Sequence, residues 1–200
     1  MSRTTNRREF IQGASLAATA VVGASQPLFS GVPTSQPQSE SAPQTMGARF
    51  RQLLQGAEPF ESIAVFDVMT ARIAEILEFP SLSIGGTAVD EFYGLPGYGL
   101  TTGSYKIEFG RRIAGSVNIP VMIDIGDDGS TPIALYRDIQ EFEKAGLGAI
   151  HMEDGTGALG GGFFSVSEMV DRIHAAVDAR SDMVITVRCQ IPLAEGIERT

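Results

Sequence analysis

Cysteine, histidine and tryptophan are scarce in this 200-residue chain, which has one cysteine, two histidines and no tryptophan. A lone Cys189 has no partner within the chain, so the fold does not depend on an internal disulfide. Two histidines and one cysteine are also too few for a closed zinc site, which needs four such ligands. Any metal ion bound here must therefore be held mainly by oxygen ligands.

Positive charge is also in short supply, because 15 lysines and arginines stand against 24 acidic residues, for a net charge of −9. Residues 1–45 carry three of the basic and two of the acidic residues, which leaves a net charge of −10 on residues 46–200. Neutralising phosphates requires a basic face, so we do not expect a nucleic acid partner. The 43% hydrophobic content is that of a chain that buries a core, not of a wholly disordered one.

Long apolar runs are missing, and the run near the N-terminus, residues 14–24, is too short and too rich in alanine and glycine to span a bilayer comfortably. It follows Arg7-Arg8-Glu9-Phe10, a pattern that resembles a twin-arginine export signal. We expect residues 1–24 to be a cleaved signal peptide that directs the protein to the periplasm or the exterior and leaves no membrane span. The alternative is a disordered basic N-terminus. Residues 25–45, rich in serine, proline and glutamine, are predicted to form a flexible linker.

From residue 46 onwards, short apolar runs alternate with amphipathic stretches. The predicted strands are 63–66, 82–84, 121–123, 149–152 and 183–187. The predicted helices are 49–54, 70–78, 104–115, 132–145 and 167–179, with Ser167 as the N-cap of the last and a further helix from Leu193. Apolar strands separated by helices are typical of a parallel sheet, in either a (β/α)8 barrel or a doubly wound fold. A dinucleotide-binding fold is disfavoured because no Gly-x-Gly-x-x-Gly follows the first strand.

The number of predicted strands limits the architecture. A (β/α)8 barrel typically takes about 250 residues, whereas residues 46–200 supply five strands. Five strands do not close such a barrel and would leave unpaired edges on the first and fifth. We therefore predict an α/β chain that forms a partial (β/α)8 barrel and belongs to a longer domain.

Polar residues and glycines gather at the carboxyl ends of the predicted strands, where parallel α/β folds place their sites. These residues are Asp67, Gly85, Gly86, Asp124, Glu153, Asp154 and Arg188. Two assignments stay open at this point. Asp67 is equally suited to cap the following helix, and His151, inside an apolar strand, is equally a core histidine or a ligand contact.

Several segments carry recognisable motifs in a fixed order along the chain. They are Phe66-Asp67-Val68-Met69-Thr70-Ala71-Arg72, Gly85-Gly86 with Gly94-Leu95-Pro96, Pro120 to Asp124, Ile150-His151-Met152-Glu153-Asp154, Glu168 to Arg180, and Arg188. In order and number they resemble the strand-end motifs of the isocitrate lyase/phosphoenolpyruvate mutase superfamily, and within it the oxaloacetate decarboxylases and methylisocitrate lyases. The resemblance covers roughly residues 47–200.

The resemblance implies the first part of an α/β barrel that binds a small 2-oxo carboxylate together with Mg2+ or Mn2+. The implied metal residues are Asp124, Glu153 and Asp127. A 2-oxo carboxylate chelates such a hard cation through its keto and carboxylate oxygens, and the metal then stabilises the enolate that forms when a bond to carbon breaks.

The resemblance also implies which residues meet the substrate. The implied substrate-binding residues are Phe66, Gly85, Gly86 and Arg188, and the implied catalytic residues are Arg188, His151 and Asp67. The glycine N–H groups and the arginine would hold the substrate carboxylate. The phenylalanine would form one wall of the site and exclude water.

Four departures from the superfamily pattern bear on the reaction. Gly97 replaces an aspartate, Ile84 a serine, and Gly126 the second aspartate of the metal loop. Residues 155–162 contain five glycines, which predicts a lid, but residues 159–163 lack the cysteine that serves the cleaving lyases as general acid. We therefore expect decarboxylation or a related lyase or hydrolase step. The alternatives are an oxo-acid-binding barrel without activity and a partial gene product, and homo-oligomer formation stays open.

Overall fold

The computed structural model describes residues 44–96, 100–126, 131–156 and 162–190. The helices in these ranges are α1 (Met46–Gln55), α2 (Val68–Ile76), α3 (Gly86–Phe92), α4 (Gly103–Ala114), α5 (Pro132–Lys144) and α6 (Val166–Ala179). The strands are β1 (Ser62–Ala64), β2 (Ser81–Ile84), β3 (Val121–Gly126), β4 (Ala149–Glu153) and β5 (Val184–Arg188). Several predictions lie outside the described residues: the signal peptide, most of the linker, Gly97, Asp127, the middle of the lid and the helix from Leu193.

The five strands form one parallel sheet whose spatial order, β1-β2-β3-β4-β5, is the order of the chain. A doubly wound sheet reverses its strand order at a switch point, whereas a barrel wall adds each strand beside the last. The sequential order therefore decides between the two architectures left open by the sequence. The prediction of a partial parallel α/β barrel with five strands is confirmed.

The two faces of the sheet have different surroundings. On the outer face, buried aliphatic side chains pack against the helices in one core; they include Leu82, Ile84, Val121, Ile123, Ile125, Ile150 and Met152, with Phe109, Ile113, Leu135, Ile139 and Phe142 from the helices. Burial of each such side chain stabilises the fold by about 1.5–3 kcal/mol. Because side chains alternate along a strand, the residues between them lie on the inner face.

Helix α1 closes the inner face at the amino ends of the strands. Its Phe50 is buried with Ala149 and Val184, and partly buried Phe60 and Met122 pack against this cluster. The rings of Phe50 and Phe60 meet edge to face, with centroids 5.9 Å apart. Since the amino end of the inner face is filled by apolar side chains, the polar inner-face residues are concentrated at the carboxyl end.

Two carboxylates hold the turn that leads from α6 into β5. Glu143, on α5, accepts hydrogen bonds from the backbone N–H groups of Ser181, Asp182 and Met183 at 2.7, 2.6 and 2.8 Å. Asp182 accepts one from the Arg51 guanidinium of α1 at 2.6 Å. The turn is thus fixed to α5 on one side and to α1 on the other, which aligns β5 with the sheet.

The Glu143 carboxylate should make fold stability depend on pH. Burial raises its pKa, but the N–H groups of Ser181, Asp182 and Met183 outweigh this and leave the pKa below its usual value. A lowered folded-state pKa adds stability above the unfolded-state pKa, and this is lost as the pH falls through the folded-state pKa. We expect Glu143→Gln to lower the free energy of unfolding at neutral pH by about 1–2 kcal/mol, allowing for partial solvent exposure.

Urea unfolding of both proteins across the acid range checks this expectation. The difference between wild type and Glu143→Gln should shrink as the pH falls. Glu141→Gln is the matched control on the same helix, because Glu141 pairs with exposed Lys144 at 2.9 Å and such surface pairs contribute little to stability. A pH-independent difference, or an equal effect of the control, would contradict the assigned role of Glu143.

The structure corrects the predicted start of α6. Ser165, not Ser167, is the N-cap: its side chain accepts the Glu168 N–H, and the Glu168 carboxylate accepts the Ser165 N–H at 2.9 Å. This is a capping box, in which the cap residue lies three positions before a glutamate. Ser167 lacks a glutamate or glutamine at that spacing, so the earlier serine takes the position. The prediction of Ser167 as the N-cap was wrong.

Candidate active site

Polar side chains line up across three neighbouring strands on the inner face. Asp124 of β3 lies opposite His151 of β4, which lies opposite Thr186 of β5. Two residues further toward the carboxyl end, Glu153 of β4 lies opposite Arg188 of β5. Residues two apart on a strand share a face, so the structure brings all five to the same face of the sheet.

Glu153 and Arg188 form an ion pair at the carboxyl end of this group. The Gln190 side-chain amide donates a second hydrogen bond to Glu153 at 2.5 Å. The Glu153 side chain is 12% exposed and the Arg188 side chain 55% exposed. Arg188 therefore has its guanidinium oriented by Glu153 while further N–H donors stay available for a carboxylate from solvent.

A hydrogen bond at the end of β3 fixes the Asp124 side chain. Its Oδ1 accepts the Gly126 N–H at 2.7 Å, where the pairing register shifts and Gly126 has a φ of +60°. The start of α3 lies against it, since a Cβ on Gly86 would be 3.3 Å from the Asp124 carbonyl oxygen and 3.8 Å from its Cγ. Gly85, the α3 N-cap, has open space where a Cβ would lie. Gly86 and Asp124 are thus brought together.

Asp67 and Phe66 follow β1. Asp67 caps α2: its Oδ1 accepts the Thr70 N–H at 2.7 Å, and the Thr70 hydroxyl completes a capping box. Hydrogen bonds from the Thr70 backbone and then from its hydroxyl lower the pKa of Asp67. The structure therefore shows the capping role that the sequence left open, and the catalytic role of Asp67 stays a prediction. Phe66 is 55% exposed, and its role as a wall of the site also stays a prediction.

The acidic residues at the strand ends are compatible with Mg2+. Across the described ranges, no three or more His, Cys, Asp or Glu side chains gather into a metal-binding group. Mg2+, however, is commonly bound through one or two carboxylates and keeps several waters. Asp124 Oδ2 accepts no hydrogen bond from a described residue, so it suits direct binding. Glu153, engaged by Arg188 and Gln190, suits contact through water.

Sequence reasoning missed three residues that support this site: Thr186, Gln190 and Lys106. Lys106 is 2% exposed, and its Nζ donates at 2.6 Å to the carbonyl of Ile125, the residue that follows Asp124 in β3. The sequence spacing could have indicated that Lys106 is buried, because it lies on the same buried face of α4 as Phe109, Gly110 and Ile113. Thr186 had a signal too, as the polar residue two positions before Arg188.

The base of the predicted lid is a short antiparallel contact. Gly155 bridges Phe163, and the Thr156 N–H donates to the Gly162 carbonyl at 2.9 Å. Asp154 is 3% exposed and accepts hydrogen bonds from the Gln190 N–H at 2.8 Å and from Cys189 Sγ at 3.1 Å. These contacts tie the first residues of the lid to the end of β5.

A cavity of about 260 Å³ lies beside β5, away from the inner-face group. Its lining is apolar apart from two residues and comprises Asp154, Phe164, Val166, Met169, Val170, Ile173, Val187 and Cys189. Val187 and Cys189 alternate with Thr186 and Arg188, so the cavity is on the helix-covered face of the strand. Cys189 thus lies outside the candidate site.

Sequential parallel strands and a helix-covered outer face define this chain as part of a (β/α)8-type barrel, with charged residues at the carboxyl ends of its strands. The phosphoenolpyruvate phosphomutase family model matches residues 50–200. The chain therefore belongs to this family, within the PEP mutase/isocitrate lyase superfamily, and the predicted resemblance is confirmed.

Two curated relatives show the range of activities among similar proteins. The chain is 36% identical over 164 residues to the 2-methylisocitrate lyase of Shewanella oneidensis, covering 78% of this chain and 56% of the relative. It is 33% identical over 168 residues to oxaloacetate decarboxylase 1 of Pseudomonas fluorescens, covering 78% and 58%. The chain thus spans about half the length of the curated relatives it matches.

Two solved structures share the fold. A 2,3-dimethylmalate lyase matches with a TM-score of 0.71 and 26% identity, over 78% of this chain and 57% of that one. A phosphonopyruvate hydrolase in complex with oxalate and Mg2+ matches with a TM-score of 0.69 and 25% identity, over 78% and 56%. The fold and the family are therefore supported by sequence and by structure.

Proposed function

We propose that this chain carries the strand-end site of an Mg2+- or Mn2+-dependent enzyme that cleaves or decarboxylates a small 2-oxo carboxylate. The observation that carries the proposal is the shared inner face of Asp124, His151, Glu153 and Arg188 at the carboxyl ends of three adjacent strands. Arg188 offers an oriented guanidinium to a substrate carboxylate, and Asp124 offers its own carboxylate to a cation. A metal-chelated oxo acid requires both groups on the same face. The activities of the lyase and decarboxylase relatives support the same class.

Each residue has a role in this proposal that follows from its contacts. Arg188, oriented by Glu153, binds the substrate carboxylate through two parallel N–H donors. Asp124, with Glu153 through water, would hold the metal ion, which would supply Lewis-acid stabilisation of developing negative charge on the substrate. Gly85 and Gly86 let the substrate approach the backbone between β2 and α3, with Phe66 and Asp67 at the neighbouring strand end.

The lid favours decarboxylation or hydrolysis over isocitrate-type cleavage. Cleavage of that kind leaves a carbanion that needs a general acid, and the cleaving lyases that the chain resembles have a cysteine for this in the lid, where residues 159–163 read Leu-Gly-Gly-Gly-Phe. None of these side chains carries a transferable proton. We propose that the lid shields the bound substrate from bulk solvent and that residues 159–163 take no part in proton transfer.

Turnover of oxaloacetate by the full chain, followed as pyruvate or oxalate formation with and without Mg2+, tests the proposal. The expected result is metal-dependent product formation, lost in Asp124→Asn and retained in Asp171→Asn, an exposed aspartate on α6. Tight metal-dependent binding without product would indicate the alternative function, an oxo-acid-binding barrel. No turnover of any 2-oxo acid and no metal-dependent thermal shift would contradict the proposal.

A further inference from the structure

The hydroxyl group of Thr186 connects two groups of β4. Its Oγ1 lies 2.8 Å from the Ile150 carbonyl oxygen and 2.9 Å from His151 Nδ1. A third neighbour, the Met122 Sδ, is 3.9 Å away. Both shorter distances are within the ordinary range of hydrogen bonds, so Thr186 joins a main-chain carbonyl to an imidazole ring.

The direction of each hydrogen bond follows from counting protons. A hydroxyl has one proton to donate, and a carbonyl oxygen can only accept. The thioether of Met122 also only accepts, and at 3.9 Å it competes weakly with the carbonyl at 2.8 Å. The Thr186 hydroxyl therefore donates its proton to the Ile150 carbonyl oxygen. The contact with the ring can form only if His151 Nδ1 carries a proton and donates it to Thr186 Oγ1.

We infer that Thr186 holds neutral His151 in the Nδ1–H tautomer, so that Nε2 presents a lone pair. The hydrogen bond made by one ring nitrogen fixes the state of the other. His151 is half-buried, and its Nε2 makes no hydrogen bond to any residue that the structure describes. Thr186 is thus a positioning residue. It determines that His151 Nε2 presents a hydrogen-bond acceptor, and not a donor, at the inner face.

The tautomer has a consequence for the reaction, and this step rests on the proposed function. A neutral ring with a lone pair at Nε2 accepts a hydrogen bond from water or a substrate hydroxyl and has no proton there to give. His151 lies opposite Asp124, so this acceptor is beside the carboxylate proposed to hold the metal. Neutral His151 is therefore assigned as an acceptor or base and not as the acid that protonates an enolate.

Nitrogen NMR of the imidazole rings tests the tautomer without any need for activity. The chain has two histidines, and His174 is exposed on α6, so His174→Gln leaves the His151 signals alone in the spectrum. In the neutral ring, we expect a protonated Nδ1 and an unprotonated Nε2. A protonated Nε2 in this background would overturn the inference.

Two variants of Thr186 complete the test. Thr186→Ser keeps the hydroxyl and should keep the tautomer, whereas Thr186→Val keeps the shape and should move the ring toward the Nε2–H form. An unchanged tautomer in a folded Thr186→Val protein, as judged from its backbone amide spectrum, would contradict the role of Thr186. The wild-type measurement decides the tautomer even if the valine variant does not fold.

Kinetics of the same variants separate this inference from the proposed function. We expect Thr186→Val to lower kcat by about tenfold or more, because positioned proton transfer contributes about 10²–10⁴-fold, and Thr186→Ser to restore most of it. The expected tautomer in a protein without turnover would support the inference and contradict the proposed function. Turnover by a protein with a protonated Nε2 would support the proposed function and contradict the inference about the tautomer.

Discussion

Replacing Arg188 with alanine should lower kcat/KM for the 2-oxo acid by about 100–1,000-fold. Removing one partner of a hydrogen-bonded charge pair at a binding site costs about 2–5 kcal/mol, and a tenfold change corresponds to about 1.4 kcal/mol. The variant loses the proposed carboxylate ligand and also leaves Glu153, whose side chain is 12% exposed, without its cation. Steady-state kinetics with saturating Mg2+ measures the loss.

Two further variants show whether this loss is specific. Arg188→Lys keeps the charge but not the planar fork of donors, so its activity should lie between wild type and Arg188→Ala. Arg112→Ala removes an exposed arginine that pairs with Glu108 at 2.9 Å on α4 and should leave kcat/KM unchanged. Equal activity of the Arg188→Ala and Arg112→Ala variants would contradict the assignment of Arg188.

The largest expected loss of stability comes from Gly47→Ala. A Cβ at this position of α1 would lie 2.3 Å from the Asp182 carbonyl oxygen and 2.7 Å from its carbonyl carbon. These are backbone atoms in a turn that Glu143 and Arg51 hold in place, so either the helix or the turn must shift. Overpacking of this kind costs about 1–3 kcal/mol. We expect the free energy of unfolding to fall by about 3 kcal/mol.

Gly85→Ala is the matched control for this measurement of stability. No heavy atom lies within 4 Å of a Cβ at Gly85, and its φ of −72° suits any residue. The substitution affects a helix N-cap, where alanine is less favourable than glycine, so a change of less than about 1 kcal/mol is expected. Chemical denaturation of both variants compares them. A Gly47→Ala protein as stable as Gly85→Ala would show that α1 does not pack tightly on the turn.

The sequence predicts most of the fold because the outer face of the sheet is continuously apolar. Ile123 and Ile150 are fully buried against the helices, and such side chains mark their strands in the sequence. Strand limits are harder to predict: β3 continues to Gly126 because hydrogen bonding persists past its apolar residues. Helix α3 was missed because it has seven residues and begins directly at Gly86, a poor helix former.

The residues of the candidate site also differ in how well the sequence predicts them. Asp124, Glu153 and Arg188 could be predicted because they end apolar strands, and the carboxyl ends of parallel strands meet at one edge. The roles of Gln190 and Thr186 could not be predicted, although the spacing of Thr186 from Arg188 was a signal, because these roles depend on how β5 and the residues after it lie against β4, and tertiary packing sets that arrangement. Each of these two residues orients a predicted site residue, Glu153 and His151 respectively.

Calorimetric titration of the full chain with oxalate, with and without Mg2+, tests most directly whether the strand ends of β2 to β5 form one metal and oxo-acid site. Oxalate is a suitable probe because a structural neighbour binds it together with Mg2+. Wild-type protein should bind oxalate when Mg2+ is present, and Asp124→Asn should weaken this binding by more than about tenfold. Oxalate binding that is the same without Mg2+ and in Asp124→Asn, or no binding at all, would contradict the account.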